Sequence, residues 1–112
     1  MSLEMERWIE ECMRCHQVCL STIQHCLKKA GRHAEHEHIR ILADCVQICA
    51  VSADFMTRGS EMHTETCRIC AEICDRCAAD CDRLRDDAMM RDCIVECRKC
   101  AQSCREMAGA HV

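Results

Sequence analysis

The stretch HTETCRICAEICDRCAADCDRL, His63 to Leu84, places cysteines at 67, 70, 74, 77 and 81, in alternating steps of three and four. Steps of three and four return to one side of an α-helix, the a/d seam of a heptad. His63, Cys67, Cys70, Cys74, Cys77, Cys81 and Leu84 therefore line a single stripe. The seam that normally carries leucine carries thiols.

The same rhythm runs outward in both directions. Residues 3–30 read as a first helix with the seam Met5, Trp8, Cys12, Cys15, Cys19, Thr22 and Cys26, and Gly31 stands where helices commonly turn left-handed and stop. A second helix is expected over 34–58, ended by Gly59, with the seam His38, Leu42, Cys45, Cys49, Ser52 and Met56. Two rows flank that seam, Ile41, Ile48 and Phe55 on one side and Ile39, Val46 and Ala53 on the other. The apolar arc is wider than a seam needs, which fits either contact with another subunit or packing inside the bundle. Ser60 suits the N-cap of a third helix over 61–84, and Asp86 or Asp87 that of a fourth over 87–108. The last seam is Met90, Cys93, Cys97, Cys100, Cys104 and Met107, continued by His111. All fifteen cysteines fall on seams, although seams take only two positions in seven.

Composition sets the remaining bounds. A chain of 112 residues makes one domain, spanning 1–112, large enough to bury a core. There is no proline, and the only aromatics are Trp8 and Phe55. Both facts favour long helices over a sheet. Four helices joined by short turns give an all-α fold, an antiparallel up-down-up-down four-helix bundle whose seams converge on a cysteine-lined core. Fifteen lysines and arginines against 19 aspartates and glutamates leave a formal charge of -4 with no basic block, so nucleic acid is not an expected partner. The first eleven residues are acidic and lack an apolar export core, and no apolar run approaches the ~18 residues of a membrane span. The expectation is a cytosolic chain without membrane contact. In that compartment cysteines stay reduced, so metal binding is favoured over a disulfide scaffold.

A row of thiolates selects soft cations. Copper(I) accepts two or three sulfurs and needs no tetrahedron, and cysteines three or four apart on a helix can flank one ion. Zinc is the rival, but structural zinc takes closed sets of four ligands, and fifteen thiols in continuous rows do not divide into such sets. Without metal the buried thiols act as small hydrophobes, so the fold is expected to form empty. Cys12-Met13-Arg14-Cys15-His16 matches the CxxCH pattern of covalent haem attachment, which needs an exported protein. The CxxC pairs at Cys67/Cys70, Cys74/Cys77 and Cys97/Cys100 lack the strands of a thioredoxin-like site, and ferredoxin spacings end in a proline that is absent. His16, His25, His33, His36 and His38 read as polar or solvated positions, and Met13, Met62 and Met89 as packing. No catalytic constellation stands out, so an enzyme is not expected. A metal-handover module and a redox or haem protein remain as alternatives.

The seam cysteines, with Cys67-x-x-Cys70-x-x-x-Cys74-x-x-Cys77-x-x-x-Cys81 and Cys93-x-x-x-Cys97-x-x-Cys100-x-x-x-Cys104, resemble the bacterial copper-storage proteins over nearly the whole chain. The likeness is to members that lack a signal peptide. The resemblance implies a four-helix bundle holding many copper(I) ions in its core and a homotetrameric assembly. Thr22, Leu42 and Ser52 are seam positions without sulfur, which implies a lower capacity than cysteine-richer relatives have.

If each thiolate bridges two ions and each ion takes two thiolates, the chain holds on the order of 15 copper(I) ions on Cys12, Cys15, Cys19, Cys26, Cys45, Cys49, Cys67, Cys70, Cys74, Cys77, Cys81, Cys93, Cys97, Cys100 and Cys104. Comparing the two ends of the tube places neutral soft donors, Met56, His63, Met107 and His111, at one of them. That end is the expected mouth. The other offers Lys29, Leu42 and Leu84 around Cys26 and Cys81, with only His38 and Met90 as softer ligands, and reads as closed by apolar and charged groups.

Overall fold

The structure, a computed structural model, describes residues 1–109; the expected ligand His111 lies outside the described residues. Helix α1 spans Leu3–Lys29, α2 His36–Thr57, α3 His63–Cys81 and α4 Ala88–Gly109. Each packs against its neighbours in the chain, and α4 closes on α1 to give an up-down-up-down bundle of 43 × 18 × 18 Å. No strand occurs among the described residues.

The termini are set by local chemistry. Ser2 caps α1, its hydroxyl accepting the Met5 N–H at 3.0 Å, with Glu4 and Glu6 in the first turn and Lys28 and Lys29 in the last, where the helix dipole favours each sign. The helix stops one residue earlier than expected. Ala30, at φ 63°, makes the turn together with Gly31 at φ 59°. A 3₁₀ turn over Gly31–Ala34 then leads to α2, which begins two residues later than expected. Gly59, at φ 67°, ends α2 with its N–H on the Met56 carbonyl and the Ser60 N–H on that of Phe55, the pairing that satisfies the last carbonyls of a helix.

Two expectations about the third helix need correction. Ser60 does not cap it; its hydroxyl accepts the Met62 N–H within the turn, and α3 starts at His63. At the far end the α-helix closes at Cys81 and tightens into a 3₁₀ turn over Asp82–Leu84. Asp87 is the cap of α4, accepting the Met89 N–H at 2.9 Å.

The core is the set of seams. Trp8, Leu42, Met56, Leu84, Met90, Met107 and every cysteine are buried, together with Thr22, His38 and Ser52. Ala53, Ala71, Ala78 and Ala101 are also buried beside the seams. Their small side chains leave room for adjacent helices to approach, which brings the thiols of facing seams into contact.

Candidate metal centre

Each seam delivers its thiols to the bundle axis because residues three and four apart share a helix face. Neighbouring Sγ atoms then meet both along and between helices. Cys19 stands 3.6 Å from Cys45 and from Cys97, Cys45 3.6 Å from Cys74, Cys49 3.7 Å from Cys74, and Cys12 3.7 Å from Cys104. All are far beyond the ~2.05 Å of a disulfide, and every cysteine is a free thiol.

Among the described residues the thiols form four quartets, in each of which the sulfurs lie within 4.8 Å of one another: Cys12, Cys70, Cys100 and Cys104; Cys15, Cys49, Cys74 and Cys100; Cys15, Cys19, Cys45 and Cys97; and Cys19, Cys77, Cys93 and Cys97. The quartets share corners. Cys100 joins the first two, Cys15 the next two, and Cys19 and Cys97 together join the last two. They are therefore one continuous ladder of sulfur, unlike the closed, separate tetrads of structural zinc.

The thiols of the quartets divide into two kinds. Hydrogen bonding to Cys100, together with burial, pushes up the thiols of Cys12, Cys15, Cys49, Cys74 and Cys104, so these hold their protons. Cys100 itself is drawn down, by Cys104 first, Cys45 by Cys15 first, and Cys93 by Cys19 first. A thiolate surrounded by thiols that donate S–H bonds to it is stabilised. Cys70 is drawn down as well, so Cys45, Cys70, Cys93 and Cys100 are the sulfurs of the ladder disposed to give up a proton to an arriving cation. Cation binding then proceeds by exchange of proton for metal and builds no large charge in the core.

The expected ligands are distributed unevenly. Cys26, Cys67 and Cys81 lie outside the quartets, extending the thiol rows beyond them. Met56 and Met107 are buried and His63 is half-buried, its ring Nδ1 2.6 Å from the Ser60 carbonyl. They stand at the end of the bundle that gathers the start of α1, the end of α2, the start of α3 and the end of α4. The opposite end gathers its softer donors around one sulfur. There His38, with no exposure at all, turns Nε2 toward Cys26 Sγ at 3.3 Å, and Met90 Sδ lies 3.6 Å from the same sulfur. His38 and Met90 are the two softer donors that the sequence places at this end, and the structure brings both to the sulfur of Cys26. The signal available was their place on the seams level with Cys26.

Residues 1–109 match the family model described as Csp, copper storage protein. Among solved structures, the Nmul_A1745 protein of Nitrosospira multiformis is 37% identical, with 98% of this chain and 99% of that one covered and a TM-score of 0.91. The Cu(I)-bound copper storage protein BsCsp3 of Bacillus subtilis is 32% identical over 94% and 98% of the two chains, with a TM-score of 0.87. The copper storage protein Ccsp of Streptomyces lividans, solved with 10 copper equivalents, is 29% identical over 95% and 84%, with a TM-score of 0.83. In sequence alone, the cysteine-rich protein YhjQ of Bacillus subtilis (strain 168) is 33% identical over 66 residues, 59% of this chain and 61% of that protein.

Proposed function

The chain belongs to the copper storage protein family, and from that membership we propose that it stores many copper(I) ions at once on the thiolates of its core. The observation that carries this reading is the corner-sharing of the quartets. A handover protein needs one or two ions on a separate site, whereas a ladder in which sulfurs belong to two groups suits bridging thiolates and a multi-ion cluster. The role is storage and sequestration, with no reaction catalysed.

All fifteen cysteines serve as ligands on this reading. Met56, His63 and Met107 act as neutral donors at the mouth, receiving copper(I) and passing it to the more strongly binding thiolates; His111 joins that set by sequence alone. The protein works as a homotetramer in the cytosol. Support for the compartment is that the Streptomyces lividans relative is described as cytosolic and that no helix among the described residues is long and apolar enough to cross a membrane.

Offering the reduced apo protein equal amounts of copper(I) and zinc(II) without oxygen, then analysing the retained metal, tests the reading. Copper should be retained in many-fold excess over protein and over zinc. Retention of zinc instead, or of only one or two copper ions, would sink it.

A further inference from the structure

We propose that Cys26 Sγ, His38 Nε2 and Met90 Sδ form a mixed-donor site for a single soft cation at the end of the bundle away from Met56 and Met107, with Asp80 as the residue that positions His38. The proposal rests on the copper(I) storage reading for the identity of the cation.

The three donor atoms converge from three helices. Cys26 is in the last turn of α1, His38 in the first turn of α2 and Met90 in the first turn of α4. All three side chains are wholly buried. Cys26 Sγ is the meeting point, 3.3 Å from His38 Nε2 and 3.6 Å from Met90 Sδ, and it belongs to none of the thiol quartets.

The hydrogen count is what marks the site. His38 Nδ1 lies 2.5 Å from Asp80 Oδ2, and Asp80 Oδ1 is held in turn by Arg83 through Nε at 3.1 Å and a terminal nitrogen at 2.8 Å. A carboxylate fixed by a guanidinium accepts, so Nδ1 carries a proton, and in the neutral imidazole Nε2 then presents a lone pair. A carboxylate behind the imidazole is the usual device for aiming a metal-binding histidine. Methionine sulfur has no proton to give. The three soft donors facing one another therefore share a single proton, the thiol proton of Cys26. Replacing it with copper(I) gives a cation held by one thiolate, one imidazole and one thioether, with no net charge, in a pocket closed to water. These are ligands that suit copper(I), and the neutral nitrogen and thioether distinguish this site from the all-sulfur ladder beside it.

The test follows two reporters through one copper(I) titration of the reduced full-length protein without oxygen. One is the ¹⁵N signal of His38, assigned with His38→Gln, and the other the ¹³C-methyl signal of Met90, assigned with Met90→Leu. The Nε2 and methyl signals should shift over the same copper increment, Nδ1 staying protonated, and both shifts should vanish in Cys26→Ser while that variant still takes up copper in its core. In Asp80→Leu, helical by circular dichroism, the metal-free His38 should lose its preference for Nδ1–H, a change that a merely structural role would not produce. A core that fills with copper while His38 Nε2 stays unshifted would overturn this proposal and leave storage standing. Shifts in different increments would also overturn it, and a protein that takes up no copper would overturn both readings.

Discussion

Cys19 on α1 and Cys97 on α4 stand with their Sγ atoms 3.6 Å apart, and both belong to the same two quartets. They are the joint at which the ladder is most connected. Replacing both with serine should therefore lower copper capacity by more than replacing Cys67 and Cys81, which lie outside the quartets. Metal analysis of the two double variants after saturation checks this. Equal losses would show that each thiol holds its own ion and that sharing plays no part.

Ala30 occupies φ 63°, ψ -166°, a region that residues with a Cβ rarely enter. Glycine reaches it without steric strain, although it gains conformational freedom in the unfolded chain. Ala30→Gly should stabilise the reduced apo protein by roughly 1 kcal/mol, read from urea unfolding midpoints. A loss of stability would mean that the turn between α1 and α2 is not formed this way.

Glu96 lies on α4 between seam cysteines with its side chain only 9% exposed and one carboxylate oxygen unpaired. Burial first, and neighbouring Glu11 next, push its carboxyl up to about 7. The fold thus favours the protonated form, and its contribution is complete below the ordinary glutamate value of ~4.3. That contribution is lost as pH rises through about 7. Glu96→Gln should remove this loss, raising apo stability at about pH 8 by on the order of 1–3 kcal/mol and changing it little near pH 4. A variant that follows the wild-type stability curve from pH 4 to about 8 would contradict the assignment.

Glu96 also marks where the sequence stops being readable. The seams were legible because a 3/4 cysteine rhythm has one helical interpretation, and the buried stripe from Cys67 to Cys81 follows it residue by residue. Glu96 is off the seam and carries a charged side chain, so only the packing of α4 on α1 places it inside. The turn at Ala30 was hidden for a related reason. A glycine at 31 advertises a left-handed position, but nothing in an alanine does. The quartets could not be assigned either, since spacing says which face a thiol occupies but not which sulfur of another helix it meets. His38 was legible as a seam residue and as a soft donor near Cys26, but its orientation was not, because that depends on Asp80, 42 residues away.

Met56, His63 and Met107 hold the end of the bundle assigned to copper uptake. Changing all three to leucine preserves apolar bulk but removes the soft donors, so transfer of copper(I) from a competing chelator should slow while final capacity falls by only a few ions. Stopped-flow absorbance of the chelator complex gives the rate. An unchanged rate in this variant, with a slower one in His38→Gln/Met90→Leu, would place the mouth at the opposite end.

The central claim, that the thiols of the core act together as a copper(I) store, is tested most directly by counting ions. Reduced apo protein is titrated with copper(I) in the absence of oxygen to saturation, separated from unbound metal and analysed for copper and protein. Corner-sharing thiolates predict a colourless product with on the order of 15 ions per chain, close to one per cysteine. Saturation at about four ions or fewer, the number that separate tetrathiolate sites would hold, would contradict it.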